Sequence, residues 1–186
     1  MNIGFAVCGS FCTFKSVFPI MKTLADIYNI IPILSYSSRE IDSRFGTAAE
    51  HITNITDICG NKPLMTIEEV EPIGPKKLLD ALIIAPCTGN TLAKLAHSIA
   101  DTPGTMAAKS HLRNGRPIIL AVSTNDALAG AAENIGKLLA RKNYYFVPFG
   151  QDDPMGKPTS MVADFTKLPE TLELSLAGKQ IQPMIV

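Results

Sequence analysis

Tryptophan is absent from this 186-residue chain, and Phe, Tyr and Trp together make up only 6% of it. A protein that reads bases by stacking needs an aromatic platform, so nucleic acid is not an expected partner. An excess of charge is missing as well, because 17 Lys and Arg balance 17 Asp and Glu. No basic field for a polyanion follows from that balance, and a near-neutral, apolar-leaning surface favours self-association. No apolar run approaches the roughly 18 residues that cross a bilayer, so no membrane partner is expected either. The N-terminal Met1-Asn2-Ile3-Gly4 lacks the charged region and apolar core of a signal peptide. Cys8, Cys12, Cys59 and Cys87 show none of the Cys-x-x-Cys pairing of a zinc site, so no metal is expected and a reducing cytoplasm is. His51, His97 and His111 all fall among polar neighbours on predicted helices, with no partner near in sequence to give them a chemical role.

What is present is a globular composition, 46% hydrophobic and 18% charged. A chain of this length buries roughly 70% of its unfolded surface and needs no disulfide staple. It reads as one domain, 1–186, with a Pro-rich loop or arm at 61–76 that suits packing on a neighbour, and a C-terminal tail at 178–186.

Short apolar runs alternate with helical spacing. Asn2 to Cys8, Ile30 to Tyr36, Ala81 to Ala85, Pro117 to Val122 and Tyr144 to Phe149 have strand length. Helical patterns start at Phe14, with Thr13 as cap and Pro19 as a kink or a shifted start, and run from Ile41 to Gly60. They recur from Leu92, from Met106 to Arg113, after Asn125 or Asp126, and from Met161 to Ala177. A capping-box pattern, Thr66 to Glu69, adds a short helix inside the Pro-rich segment. Strands alternating with helices in this way predict an α/β fold with a mostly parallel sheet covered on both faces.

The strands end in small hydrogen-bonding residues, and such ends are where α/β sheets hold ligands. Gly9, Ser10 and Cys12 follow the first, and Ser37, Ser38 and Arg39 follow the second. Cys87, Thr88, Asn90 and Thr91 follow the central strand, and Ser123 and Asn125 follow the next. A dinucleotide reader would show Gly-x-Gly-x-x-Gly after the first strand and an acid after the second. Gly9 stands alone and no acid closes the second strand, which disfavours NAD, although Ser37, Ser38 and Arg39 suit the additional phosphate of NADP. A mononucleotide with one terminal phosphate fits better, held by the hydroxyls of Ser10, Ser37, Thr88 and Thr91 and by turn amides.

The run Ala85-Pro86-Cys87-Thr88-Gly89-Asn90-Thr91 resembles the Pro-Ala-Ser-Ala-Asn-Thr signature of the FMN-binding flavoprotein family. That family includes phosphopantothenoylcysteine and peptidyl-cysteine decarboxylases and flavin prenyltransferases. Gly9-Ser10 and Asn125 fall where it keeps a phosphate turn and a Pro-x-Met-Asn segment. The resemblance covers about residues 2–150 and implies a Rossmann-like three-layer sandwich, FMN held at the interface between copies, and a homo-oligomer, trimer or dodecamer. It further implies that Asn90 and Asn125 contact the isoalloxazine or a substrate carboxylate.

The departures matter too. No His lies between Thr53 and Lys94, Thr124 replaces the Met, and Ser123 stands where prenyltransferases keep Arg. Gly-Ser-Phe-Cys-Thr-Phe near the start and Val-Pro-Phe-Gly-Gln-Asp-Asp-Pro after the last strand resemble one branch of the family. Its members act beside a separate second subunit, oxidising a small dicarboxylate in the mother-cell cytoplasm of spore-forming bacteria, with NADP entering through the partner. Three other roles are compatible with the residues: a non-catalytic assembly or regulatory component, an FMN-dependent decarboxylase, and a small NADP-binding oxidoreductase.

Overall fold

The computed structural model describes residues 1–186. The chain begins with β1 (Asn2–Val7), α1 (Phe14–Ala25), β2 (Asn29–Leu34), α2 (Tyr36–Glu40) and α3 (Ala48–Cys59). It continues through α4 (Ile67–Val70), β3 (Ala81–Cys87), α5 (Gly89–Ala96), α6 (Pro103–Leu112), β4 (Ile118–Thr124) and α7 (Ala132–Leu139). It ends with β5 (Tyr144–Phe146), β6 (Phe149–Gly150), β7 (Met161–Ala163) and α8 (Leu168–Leu176).

The seven strands form one sheet in the order β2-β1-β3-β4-β7-β6, with β5 also paired to β4. β2, β1, β3, β4 and β5 run parallel, and β7 is antiparallel to the end of β4. Helices α1, α3 and α8 pack on one face and α4 to α7 on the other, giving the three layers. Every residue of β3 is buried, as both-face coverage demands, which is why it reads as an unbroken apolar run. Truncating Ile83, which is fully buried, to Ala would cost about 2–5 kcal/mol. The order of the first strands places a switch point between β1 and β3: the chain turns outward to β2, then crosses back past β1. Open parallel sheets bind ligands at such a crevice.

Pro19 lies within α1 and does not shift its start at Phe14; both Pro19 and Lys15, four residues before it, are exposed, so the unclaimed carbonyl is hydrated. Four expectations needed correcting. The single helix expected over 41–60 is two. α2 stops at Glu40 and a turn intervenes. Thr47 and Glu50 then form a capping box that starts α3, and Gly60, at φ 64°, ends it. The helical pattern expected from Met161 is first a strand, β7, since Met161 and Ala163 pair inward against β4 and β6. No side chain caps α7, because it starts only at Ala132, behind turns in which Ala129 and Ala131 N–H donate to Asp126 O, and Thr13 Oγ1 bonds Ser10 O rather than capping α1.

The Pro-rich segment carries α4, capped by the Thr66 and Glu69 pair, and sends Val70 and Ile73 into the core. The last residues run beside β6, where Phe149 N–H donates to Met184 O at 3.0 Å. No helix is long and apolar enough to cross a membrane.

Candidate functional site

Two adjoining cavities sit over the β1/β3 switch point. The smaller, about 150 Å³, is built mainly from helix starts. Ser35 caps α2, Thr88 caps α5 and Thr102 caps α6, accepting from the N–H of Ser38, Thr91 and Thr105 at 3.2, 3.3 and 3.3 Å. All three caps line this one cavity. The first turn of each helix leaves N–H groups without an intrahelical partner, and each start carries up to about +0.5 of a charge. Lys94, on the next turn of α5, also lines it; its ammonium meets Asp101 at 2.8 and 3.0 Å, and a third donor remains. Ser37 and Gly9 line the same space. A Cβ on Gly9 would lie 2.9 Å from Ser37 Cβ, so only glycine lets the first two crossovers approach this closely.

The larger cavity, about 370 Å³, shares Gly9 and Thr88 with the smaller. Phe11, Phe45 and Val162 supply apolar wall, and Ser10, Asn125 and Lys157 supply polar groups. Ser10 Oγ meets Ser123 Oγ at 2.8 Å, tying the first turn to the end of β4. Gly89 allows another close approach, since a Cβ there would come 2.7 Å from Thr124 Oγ1 and 2.8 Å from Asp126 Oδ1. Asp152 accepts from Ser160 Oγ at 2.6 Å and Lys157 Nζ at 3.1 Å, and the Ser160 bond holds its carboxyl below the usual range. The 151–160 loop is thereby pinned at the rim by β6 and β7.

The predicted site residues divide into three groups. Gly9, Ser37, Thr88, Asn90 and Thr91 come together at the small cavity; Gly9, Ser10, Cys12, Thr88, Ser123 and Asn125 come together at the large one. Asn90 and Asn125 therefore occupy different cavities. Ser38, Arg39 and Cys87 line neither. Ser38 is 1% exposed and donates to Val7 O at 2.9 Å, so it joins α2 to β1. Arg39 donates to Met65 O and pairs with Glu40 at 2.7 Å, which consumes the charge a dinucleotide phosphate would need. Cys87 is fully buried, and burial pushes its thiol well up. Burial likewise pushes Cys8 up to about 11, leaving a neutral thiol that receives Thr91 Oγ1–H at 3.4 Å.

His51 and His111 were expected among polar neighbours, yet they are 4% and 0% exposed. His51 packs among Phe11, Phe14 and Phe18, and His111 sits against Pro117 O at 3.1 Å. Ser35, Thr102 and Phe45 were missed. Ser-x-x-Ser and Thr-Pro-x-Thr at helix starts could have revealed the first two, and nothing local signals Phe45, exposed on the turn between α2 and α3.

A parallel sheet with a donor-lined pocket at its switch point, and a second cavity with an apolar wall beside it, defines a Rossmann-like α/β protein. The Flavoprotein family model matches residues 1–167, and the chain belongs to that family. It is 44% identical over its full length, and over 93% of the relative, to the B subunit of dipicolinate synthase from Bacillus subtilis (strain 168). The crystal structure of the corresponding B subunit from Bacillus halodurans superposes with a TM-score of 0.91 at 42% identity, covering 100% of this chain and 95% of that one. The crystal structure of Burkholderia xenovorans DmrB in complex with FMN, described as a cubic protein cage for redox transfer, shares the fold. Its TM-score is 0.68 at 17% identity, covering 95% of each chain.

Proposed function

We propose that this chain is the FMN-holding component of a dipicolinate synthase, working with a separate second subunit of that enzyme to oxidise dihydrodipicolinate, or its hydrated precursor, to dipicolinate. The convergence of three helix caps on one small cavity that adjoins a larger one with an apolar wall carries this reading. The residues present fit FMN. Ser37 Oγ has no hydrogen-bond partner within the protein, Gly9 removes the Cβ that would fill the cradle, and the Lys94 ammonium, paired to Asp101, keeps one N–H to donate. The phosphate is held by Ser37, Thr88, the amides at the start of α5, and Lys94, with Asn90 beside them. Ser10, Phe11, Cys12 and Asn125 line the space for the ring.

Bound there, FMN supplies a two-electron acceptor for a substrate that becomes aromatic on oxidation. The chain's own share is orientation and exclusion of water. Phe11, Phe45 and Val162 keep one side of the larger cavity apolar, Asn125 offers an amide to a carboxylate or to the polar edge of the ring, and Lys157 offers a charge. Asp152 stays ionised and positions Lys157 at the rim. The second subunit completes dicarboxylate recognition and delivers electrons onward to NADP. A homo-oligomer in the mother-cell cytoplasm accords with the FMN-bound cage neighbour and the spore-forming relative.

The test is co-purification of the chain with the second subunit, reconstitution with and without FMN, and measurement of dipicolinate by the ultraviolet absorbance of its aromatic ring. Turnover that requires FMN supports the proposal. Equal turnover by flavin-free complex would leave this chain an assembly or regulatory component.

A further inference from the structure

A third cleft, about 390 Å³, runs along α6 from Thr105 in its first turn to Arg113 just past its end, against the end of α5 and the start of β5. It shares no residue with the two cavities described above. Leu95, Leu112 and the ring of Tyr144 line it with apolar surface, and Ile99, 47% exposed, stands at its rim. Its charged residues are all cations, Lys109, Arg113 and Arg141, with no carboxylate among the lining. None of the three takes part in an ion pair.

One structural duty accounts for part of this charge. Arg141 donates to Leu95 O at 2.9 Å and Ala96 O at 2.6 Å, satisfying carbonyls at the end of α5. Lys109 and Arg113 complement the end of α6. Each helix end carries about −0.5 of a charge, so two ends offset only about one of the three cations and a surplus of roughly two remains. Burial raises the Tyr144 phenol, which is therefore a protonated donor at neutral pH. Apolar wall on one side and unanswered cations on the other select a ligand with both characters. A bare inorganic anion leaves the wall unused, and a neutral ring leaves the charges unused. The size falls in the range of small-ligand pockets.

We infer that this cleft binds a small ring carboxylate, its ring against Leu95, Leu112 and Tyr144 and its carboxylate against Arg113 and Lys109. Arg113 offers the planar fork that receives a carboxylate through two parallel bonds. The site is separate from the flavin cavities, so ligand there acts on the protein from a distance, and the inference stands without the FMN proposal.

Isothermal titration of the full chain with benzoate, pyridine-2,6-dicarboxylate and sulfate tests it, at low and at raised salt. Both ring carboxylates bind at millimolar concentration or below, at least tenfold more tightly than sulfate, and weaken as salt rises. Lys109→Glu with Arg113→Glu, both at exposed positions, weakens them a further tenfold or more, and Arg113→Ala gives an intermediate loss should the double variant misfold. Saturating FMN leaves the titration unchanged. The inference is overturned if neither ring carboxylate binds, if sulfate binds as tightly, or if the variants bind as well as the parent. Competition by FMN also overturns it, because the probe then lies in the other site. So does light scattering in which the double variant disperses a wild-type assembly that binds no probe, since a second copy then covers the cleft.

Discussion

Ser37 and Ser38 are adjacent in sequence and opposite in expected consequence. Ser37 is exposed, lines the small cavity and makes no side-chain hydrogen bond within the protein. Replacing it with Ala removes nothing the folded apoprotein uses, so its melting temperature should stay within about 1–2 °C of the parent's, the shift for a surface change under about 0.5 kcal/mol. A hydrogen bond to a charged group contributes about 1.5–3 kcal/mol, so loss of this donor should weaken FMN by roughly ten- to 150-fold. Ser38, 1% exposed, donates to Val7 O and sits 2.9 Å from Ser35 Oγ. Its replacement by Ala removes a buried hydrogen bond while Val7 O keeps the Ser35 N–H, costing about 0.5–1.5 kcal/mol and lowering the melting point by roughly 1–6 °C. Fluorescence titration of FMN with thermal unfolding of apoprotein separates the two. Should Ser37→Ala hold FMN as tightly as the parent, the phosphate does not sit where these hydroxyls converge.

Gly9→Ala places a Cβ 2.9 Å from Ser37 Cβ, and crowding of that kind costs about 1–3 kcal/mol; the variant should fold with a lowered melting point and lose most of its flavin, read from absorbance after gel filtration. Burial drives the His111 imidazole down to about 4, while an unfolded chain takes a proton near pH 6.5. Both states are neutral above 6.5, so the contribution is complete there and is lost as pH falls from 6.5 towards 4, up to about 3 kcal/mol. Urea midpoints of the parent should fall over that window more steeply than those of His111→Gln, and parallel slopes would show that His111 is not the group responsible. Cys12 is the exposed thiol, whereas Cys8 and Cys87 are buried; iodoacetamide should label Cys12 first and FMN should slow it, as peptide mapping by mass spectrometry would reveal, and equal labelling with and without FMN would remove Cys12 from the ring site.

The parallel sheet was legible because its strands are short apolar runs ending in hydroxyl-rich turns, a pattern set by burial on both faces. The lining of the small cavity was legible for the same reason: Gly9, Ser37, Thr88 and Thr91 are local consequences of strand ends and caps. Ser38 and Arg39 share that composition but are turned into the fold by the one-turn helix α2, which no periodicity indicates. Phe45 and Thr102 reach the cavities through tertiary placement of the 41–47 turn and of α6. The two buried histidines escaped notice because their polar sequence neighbours lie on the other side of the helix. β7 was hidden since its three residues are too few to establish a strand's alternation ahead of the helical pattern that follows.

Equilibrium binding of FMN and of riboflavin to the same apoprotein tests the phosphate seat most directly, because the two ligands differ only in the terminal phosphate. Three helix starts and Lys94 predict that FMN binds at least a hundredfold more tightly, and that Ser37→Ala narrows the gap. Equal affinities, or a gap that Ser37→Ala leaves untouched, would contradict it.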